Sequence, residues 1–238
     1  MAINYNPKIV TDSIRCLLDA RDTRSYPGSG LTWSDLSGYK NNQQRSISGV
    51  TFNSDGYFTF DGAAGNFVQA AITSSGPSTI PNSFSADNAS STIGVWFRPH
   101  TVTPASRMAV ITDNFGPEYG IWVQTNGNVS GYAYGGVSTS ISANVWTYCV
   151  ITVVAGVANT TDTYTLKFYK DGVYVNQATG TVGNGLNDWP LTLGYDNQSG
   201  SPLGYFDGDI ARVEMYQKVL TDAEVQQNYN ALRGRFGL

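Results

Sequence analysis

The chain has 238 residues, with 14 Lys or Arg against 18 Asp or Glu, a formal net charge of −4. Charged residues make up only 13% of it while 26 residues are glycine, so Ser, Thr, Asn and Gln supply most of the polarity. Scattered basic residues exclude a nucleic-acid partner, which needs clustered Lys or Arg to displace counterions. No apolar run approaches the ~18 residues of a membrane helix, so no membrane insertion is expected. The opening Met-Ala-Ile-Asn-Tyr-Asn-Pro has neither a basic n-region nor an apolar h-region, the expectation for a chain made in the cytoplasm. Cys16 and Cys149 cannot make a disulfide scaffold for a chain of this size. They read as two buried free thiols, with a single bridge as the alternative.

The elements follow in chain order. Residues 15–19 form a strand that runs into a tightly turned loop, 25–38, where glycines and Pro27 surround Trp33 as an aromatic anchor. Alternating apolar residues predict strands over 57–61, 67–72, 92–98 and 108–112. Asn126-Gly127 marks a hairpin between 119–124 and 129–134. A strand over 146–154 follows; Trp96 and Trp146, at strand centres, read as core residues, and Trp122 as a further core candidate. Tyr164, Leu166 and Phe168 then share one face of a half-buried strand, and Asp171-Gly172 turns it back through Val173-Tyr174-Val175. Residues 191–195 and 210–216 are further strands, the second with Ala211, Val213 and Met215 facing inward and Arg212 and Glu214 outward. Phe206-Asp207-Gly208-Asp209 reads as a turn before it.

One helix is predicted over 221–233. Thr221 is its N-cap, Glu224 completes a capping box, and Leu220 with Val225 forms the hydrophobic staple. Val225, Tyr229 and Leu232 recur at helical spacing. Residues 234–238 carry Phe236 and Leu238, which suits a tail docked on its own domain or on a neighbour. About a dozen short strands must bury one face each against a second sheet, which gives an all-β, two-sheet antiparallel jelly-roll sandwich. No linker interrupts the chain, so one domain over 1–238 is expected.

Taken together, several segments resemble the laminin-G-like branch of the concanavalin A-like lectin/glucanase superfamily, in the form found in bacteriophage virion proteins. They are Leu17-Leu18-Asp19-Ala20, Ser25-Tyr26-Pro27-Gly28, Trp33 with Asp35-Leu36-Ser37-Gly38, Phe60-Asp61-Gly62, Val95-Trp96-Phe97, Tyr169-Lys170-Asp171-Gly172 and Phe206-Asp207-Gly208-Asp209-Ile210. The C-terminal Leu220-Thr221-Asp222-Ala223-Glu224-Val225 and Gly234-Arg235-Phe236-Gly237-Leu238 match as well. The resemblance implies a jelly roll whose rim loops hold a ligand or an ion. It implies less about activity, because one fold hosts lectins, glycosidases, adhesion modules and particle proteins.

Chemistry-bearing residues are sparse. Glycosidases need two carboxylates flanking a sugar bond, and the nearest pairs, Asp207 with Asp209 and Asp19 with Asp22, fall in segments read as turns. His100, the only histidine, reads as an ordinary surface residue at a strand end, and no serine elbow accompanies it. Asp19, Asp35, Asp61, Asp207 and Asp209 lie in Gly- or Ser-containing turns of the kind that supply calcium ligands, although Asx-turns that cap the loops are the favoured account of them. Trp189, Tyr195, Tyr205, Tyr132, Tyr134 and Asn197 combine aromatic faces with amides around Gly-rich turns and are the candidate glycan-binding set. No cofactor is required beyond a structural calcium. The sequence thus predicts a noncatalytic protein of a phage particle surface, in contact with other virion proteins and self-associated as a homo-oligomer. The alternative is a carbohydrate-binding adhesion module.

Overall fold

The computed structural model describes residues 8–39, 43–45, 49–70, 90–113, 119–133, 135–154, 162–182, 191–196 and 204–238. The strands in chain order are β1 (Ile14–Asp19), β2 (Thr32–Trp33), β3 (Gln43–Arg45), β4 (Thr51–Asn53), β5 (Tyr57–Asp61), β6 (Val68–Ala70), β7 (Ser91–Pro99) and β8 (Met108–Asp113). Then come β9 (Tyr119–Val123), β10 (Asn128–Ala133), β11 (Gly136–Ser140), β12 (Thr147–Val154), β13 (Asp162–Lys170), β14 (Val173–Val182), β15 (Leu191–Leu193) and β16 (Asp207–Tyr216). A helix, α1 (Asp222–Leu232), and a 3-10 turn over Arg233–Phe236 complete the chain.

Two antiparallel sheets pack face to face. The first runs β14-β13-β12-β7-β16-β5-β4 and the second β11-β10-β9-β8-β15-β6-β3-β2. One edge of β16 pairs with β7 along its length; the other is divided, β5 taking Asp207–Ile210 and β1 taking Arg212–Tyr216. This is the expected all-β sandwich with one short C-terminal helix. Both predicted tight hairpins form. Asp171 and Gly172 each have positive φ, 51° and 78°, as the turn between β13 and β14 demands, and Gly127 has φ of 84° between β9 and β10.

Between the sheets lies a continuous core in which Phe58, Phe60, Val95, Phe97, Ile151, Phe168, Val213 and Met215 interdigitate. Cys16 and Cys149 belong to it as buried free thiols, and burial raises both well above the ordinary thiol range. A second apolar layer sits on the outer face of the first sheet. There Trp96, Tyr148, Val150 and Tyr216 are covered by Leu220 and Val225, with Tyr229, Leu232 and Phe236 packed against them. Trp96 is its centre: Tyr148 stacks at 4.9 Å, Tyr229 at 5.7 Å and Phe236 at 4.2 Å, all within about 21° of parallel. The tail 234–238 therefore folds back onto its own sheet through Phe236.

The helix begins where expected, with Thr221 and Glu224 forming the reciprocal capping box. Its buried polar residue, Asn228, was not anticipated. Asn228 donates to Glu214 Oε2 and to the Tyr216 hydroxyl while accepting from the Val10 amide at 2.8 Å.

Several sequence expectations change. Asp207 and Asp209 lie in β16 rather than in a turn, because β5 and β7 pair with them on both sides. A bulge between Ile210 and Arg212 in the pairing with β7 turns Ala211 to the outer layer, so Ile210, Val213 and Met215 fill the core instead. Thr32–Trp33 inside the N-terminal loop is a short strand, and β3, β4 and β11 were not expected at all. Trp96 is buried on the outer rather than the inner face. Trp146, placed in the core from sequence, is only half-buried. Arg212 and Glu214 do face outward, yet the helix and the N-terminal segment bury them.

Their charges are balanced locally. Arg212 donates to Glu214 Oε1 at 2.7 Å and to Asp19 Oδ2 at 2.5 Å, and Arg235 donates to Asp19 Oδ1 at 2.7 Å. The Tyr148 and Tyr216 hydroxyls complete the shell of Glu214. Burial alone would raise the Asp19 carboxyl, but Arg212 and Arg235 outweigh it and hold the group below its ordinary value.

Two expectations follow for stability. Phe236→Ala opens the stack over Trp96, lowering unfolding free energy by about 1.5–3 kcal/mol and shifting tryptophan emission to the red, as urea titration would read. A depressed folded pKa for Asp19 means its contribution is complete above about 3.9 and is lost as pH falls from there through the folded value. Asp19→Asn should therefore cost about 3–5 kcal/mol near neutrality. It should also flatten the acid limb of a stability profile taken between about pH 6 and pH 2.

Candidate functional site

Two surfaces gather groups suited to recognition. The first lies where β15 ends, β8 begins and β9 ends. Tyr195 stacks on Tyr205 at 4.9 Å with 18° between planes, and on Phe67 at 5.3 Å with 29°. Beside this ladder Asp196 accepts from Trp122 Nε1 at 3.2 Å and from Arg107 at 3.1 Å. Tyr132 meets Trp122 edge-on at 6.3 Å. Antiparallel pairing explains the grouping: Leu193 sits opposite Ile111, so the chain leaving β15 passes the start of β8, and Trp122 is opposite Ala109. Burial, then the neighbouring Tyr205 and Asp196, push the Tyr195 phenol above its usual value, so it remains a neutral hydroxyl.

Of the predicted glycan-binding residues, Tyr132, Tyr195 and Tyr205 thus come together here, half-buried. Trp189, Tyr134 and Asn197 lie outside the described residues. Arg107 and Asp196 complete the polar part of the group. Arg107 carried no sequence signal beyond its charge, since it sits in an unremarkable Ser-Arg-Met run.

The second surface is a cavity of ≈ 410 Å³ on the outer face of the first sheet, lined by Arg21, Tyr57, Arg98, Trp146, Arg235 and Phe236. Trp146 touches Tyr57 edge-on at 5.5 Å and Phe236 at 4.8 Å. The Arg98 guanidinium lies 5.0 Å from the Trp146 ring centre and 5.2 Å from that of Tyr57. The β4–β5 hairpin supplies one wall. Its Gly56 has φ of 91°, and a Cβ there would come within 2.5 Å of Arg21 Cβ, so glycine allows the arginine to lie against the turn. Arg235 is fixed by Asp19 and by the Gly56 carbonyl at 2.7 Å.

Next to this cavity, β16 presents Asp207 and Asp209. His100 bridges them, Nδ1 2.9 Å from Asp207 Oδ1 and Nε2 3.1 Å from Asp209 Oδ2. It sits partly exposed just past the end of β7, as expected from sequence, but its link to both carboxylates was not anticipated. Asp209 is 1% exposed and also accepts from Arg98 Nε at 2.8 Å and from Thr59 at 2.7 Å. Burial works against the Arg98 charge, but the hydrogen bond and field of Asp209 raise its pKa overall.

The five aspartates read as calcium candidates do not form one ligand set. Asp19 belongs to the buried arginines, while Asp35 accepts from the Leu17 and Ser37 amides, each at 2.8 Å, and from the Ser37 hydroxyl. Asp61 accepts from the Ala63 amide and from Asn66 Nδ2. Asp61 and Asp207 are opposite each other on β5 and β16, but His100 takes Asp207. Among the described residues no three His, Cys, Asp or Glu side chains could hold a metal ion. The groups around these carboxylates are mainly N–H and guanidinium donors, with the Ser37 and Thr59 hydroxyls, and these satisfy the carboxylate oxygens directly.

The fold has solved counterparts. Trypanosoma rangeli sialidase, in complex with sialic acid, superposes with a TM-score of 0.69 at 14% identity, over 95% of this chain and 34% of the sialidase. The binding domain of botulinum neurotoxin DC, in complex with SialylT, gives 0.64 at 16% identity, over 93% of this chain and 52% of that one. The binding domain of Paraclostridial Mosquitocidal Protein 1 gives 0.63 at 17%, again over 93% of this chain and 52% of that domain. This chain thus spans about a third of the sialidase and about half of the toxin binding domains. Comparison with curated proteins gives no match. A family model described as the concanavalin A-like lectin/glucanases superfamily, Laminin_G_3, matches residues 73–226, more than half of the chain. With both sheets and their order in place, the chain belongs to the concanavalin A-like lectin/glucanases superfamily.

Proposed function

We propose that this protein is a noncatalytic, lectin-like carbohydrate-binding domain whose sugar-contacting face includes Tyr195, Tyr205 and Tyr132. The observation that carries this reading is the Tyr195–Tyr205 ladder with Asp196 and Arg107 beside it. Sugar rings have one apolar and one hydroxylated aspect, and a surface that joins aromatic rings to fixed donors and acceptors meets both. The sialic acid in the sialidase complex and the SialylT in the neurotoxin complex agree with a sugar-directed role.

Binding is favoured over hydrolysis by the state of the acids. Asp207 and Asp209 share a strand, but Asp209 is buried beneath Arg98, His100 and Thr59 and has no path to a glycosidic oxygen. Nor is Asp207 held apart from that network, since the same imidazole binds it. A general acid and a nucleophile must both face the sugar bond, which this arrangement does not offer.

A second reading places the domain on the surface of a phage particle, as a capsid or tail-associated component. It is supported by the resemblance of the loop and C-terminal motifs to phage virion forms and by the sparse surface charge. Of the apolar tail, expected to dock on its own domain or on a neighbour, Phe236 packs on its own sheet against Trp96 and Trp146 while Leu238 is exposed.

A glycan array probed with the purified chain should show a restricted set of binders. Tyr205→Ala and Tyr195→Ala should each weaken the best of them about tenfold, ~1.4 kcal/mol, with circular dichroism unchanged. Flat responses across neutral and acidic glycans would remove the carbohydrate reading. On the particle reading, purified virions should carry the chain at many copies, and its absence from them would end that idea.

A further inference from the structure

The cavity beside β5 and β16 is not used by the Tyr195–Tyr205 face, and its composition differs. Three of its lining residues are arginines, Arg21, Arg98 and Arg235, against one carboxylate, Asp55. Arg98 spends Nε and one terminal nitrogen on a single oxygen of Asp209, at 2.8 and 2.7 Å. Arg235 spends one terminal nitrogen on Asp19 and the other on the Gly56 carbonyl. A guanidinium has more N–H groups than these contacts consume, so both retain donor capacity. Arg21 is exposed, and among the described residues its side chain makes no ion pair. The remaining walls are aromatic: Tyr57, Trp146 and Phe236.

We propose that this cavity is a second ligand site, selective for a sugar ring that carries an anionic group. Arg21 and Arg235 hold the carboxylate or sulfate, and the ring lies against Trp146 and Tyr57. Each part of the chemistry has its counterpart in the walls. Planar guanidinium groups match the two oxygens of a carboxylate or sulfate and are the side chains best suited to paired hydrogen bonds with them. An indole and a phenol accept the apolar aspect of a pyranose. The volume of ≈ 410 Å³ lies in the range of small-molecule sites, about 300–1,000 Å³, and fits one or two rings rather than an extended chain. Burial, partly offset by Asp19 and reinforced by Arg212 and Arg21, already lowers the Arg235 pKa, and an incoming anion would relieve that crowding of cations.

The site stands apart from the Tyr195–Tyr205 face and does not depend on it. The test is calorimetric titration of the intact chain with N-acetylneuraminic acid, glucuronic acid and N-acetylglucosamine 6-sulfate, with N-acetylglucosamine as the neutral counterpart. At least one acidic sugar should bind, the neutral one about tenfold or more weakly, and affinity should fall as salt rises. Arg21→Glu should abolish the preference and Arg21→Lys should retain part of it; Arg21 is exposed, so neither variant threatens the fold. Three binding results would overturn the proposal, as would the absence of binding. They are equal affinity for neutral and acidic sugars, displacement by inorganic sulfate with an affinity equal to that of the sugar, or acidic-sugar binding that survives Arg21→Glu but is lost in Tyr205→Ala. The last would assign the ligand to the other face, leaving the carbohydrate reading intact while removing this cavity from it. Absence of binding by all three acidic sugars would also remove the cavity proposal, whatever the array shows for neutral glycans.

Discussion

Asp19 is the point on which the two halves of the outer face depend. Its Oδ1 accepts from the Arg21 amide and from Arg235, and its Oδ2 from Arg212, so one carboxylate joins β1, β16 and the C-terminal turn. Arg212 is 6% exposed, and a guanidinium at that depth is tolerable only with its charge matched at hydrogen-bonding distance. Glu214 supplies the second match, and its own charge is in turn shared among Arg212, Tyr148, Tyr216 and Asn228. The result is a closed polar network between a sheet and a helix, each member of which orients another.

That network decides where the cavity beside β5 and β16 lies. A sheet in this kind of sandwich ordinarily leaves one face to water, with polar residues alternating outward. Here α1 and the tail cover part of the outer face of the first sheet, and another part opens into the cavity. The boundary between the two is drawn by Arg235 and Phe236, which Asp19 and Trp96 hold in place. The open part therefore begins at Arg235 and Phe236, with Trp146 beside them in the cavity lining. Cavity, helix cover and buried charges are consequences of one arrangement rather than three separate features.

The elements that local patterns determine were legible. The capping box at Thr221, the Asp171-Gly172 turn and the period-two strands 15–19, 57–61, 92–98 and 108–112 all depend on neighbours in sequence. What was not legible depends on partners far away in the chain. Asp19 looked like a loop carboxylate available to calcium because its arginines are 193 and 216 positions distant. His100 looked idle because Asp207 and Asp209 reach it only when β16 lies beside β7. The bulge after Ile210 has no local signature, yet it moves Ala211 to the other face and exchanges it with Ile210 in the core. Trp146 had the apolar neighbours of a core residue, and its half-open position follows from the end of β12 rather than from its surroundings in sequence. In the Tyr195–Tyr205 group the aromatic residues could be picked out by composition, whereas Arg107 gained meaning only through its contact with Asp196.

The position of β16 also bears on how the protein is made. It is flanked by β7 on one side and by β5 and β1 on the other, so Val95 waits for Val213 and Leu18 waits for the same residue. Until β16 is made, the first sheet consists of three unjoined pieces, β14-β13-β12-β7, β5-β4 and β1. Such non-local pairing makes for slow folding and leaves strand edges uncovered in the meantime. With charge sparse, hydration of those open edges falls to the abundant Asn, Ser and Thr, which gives the composition a role during synthesis.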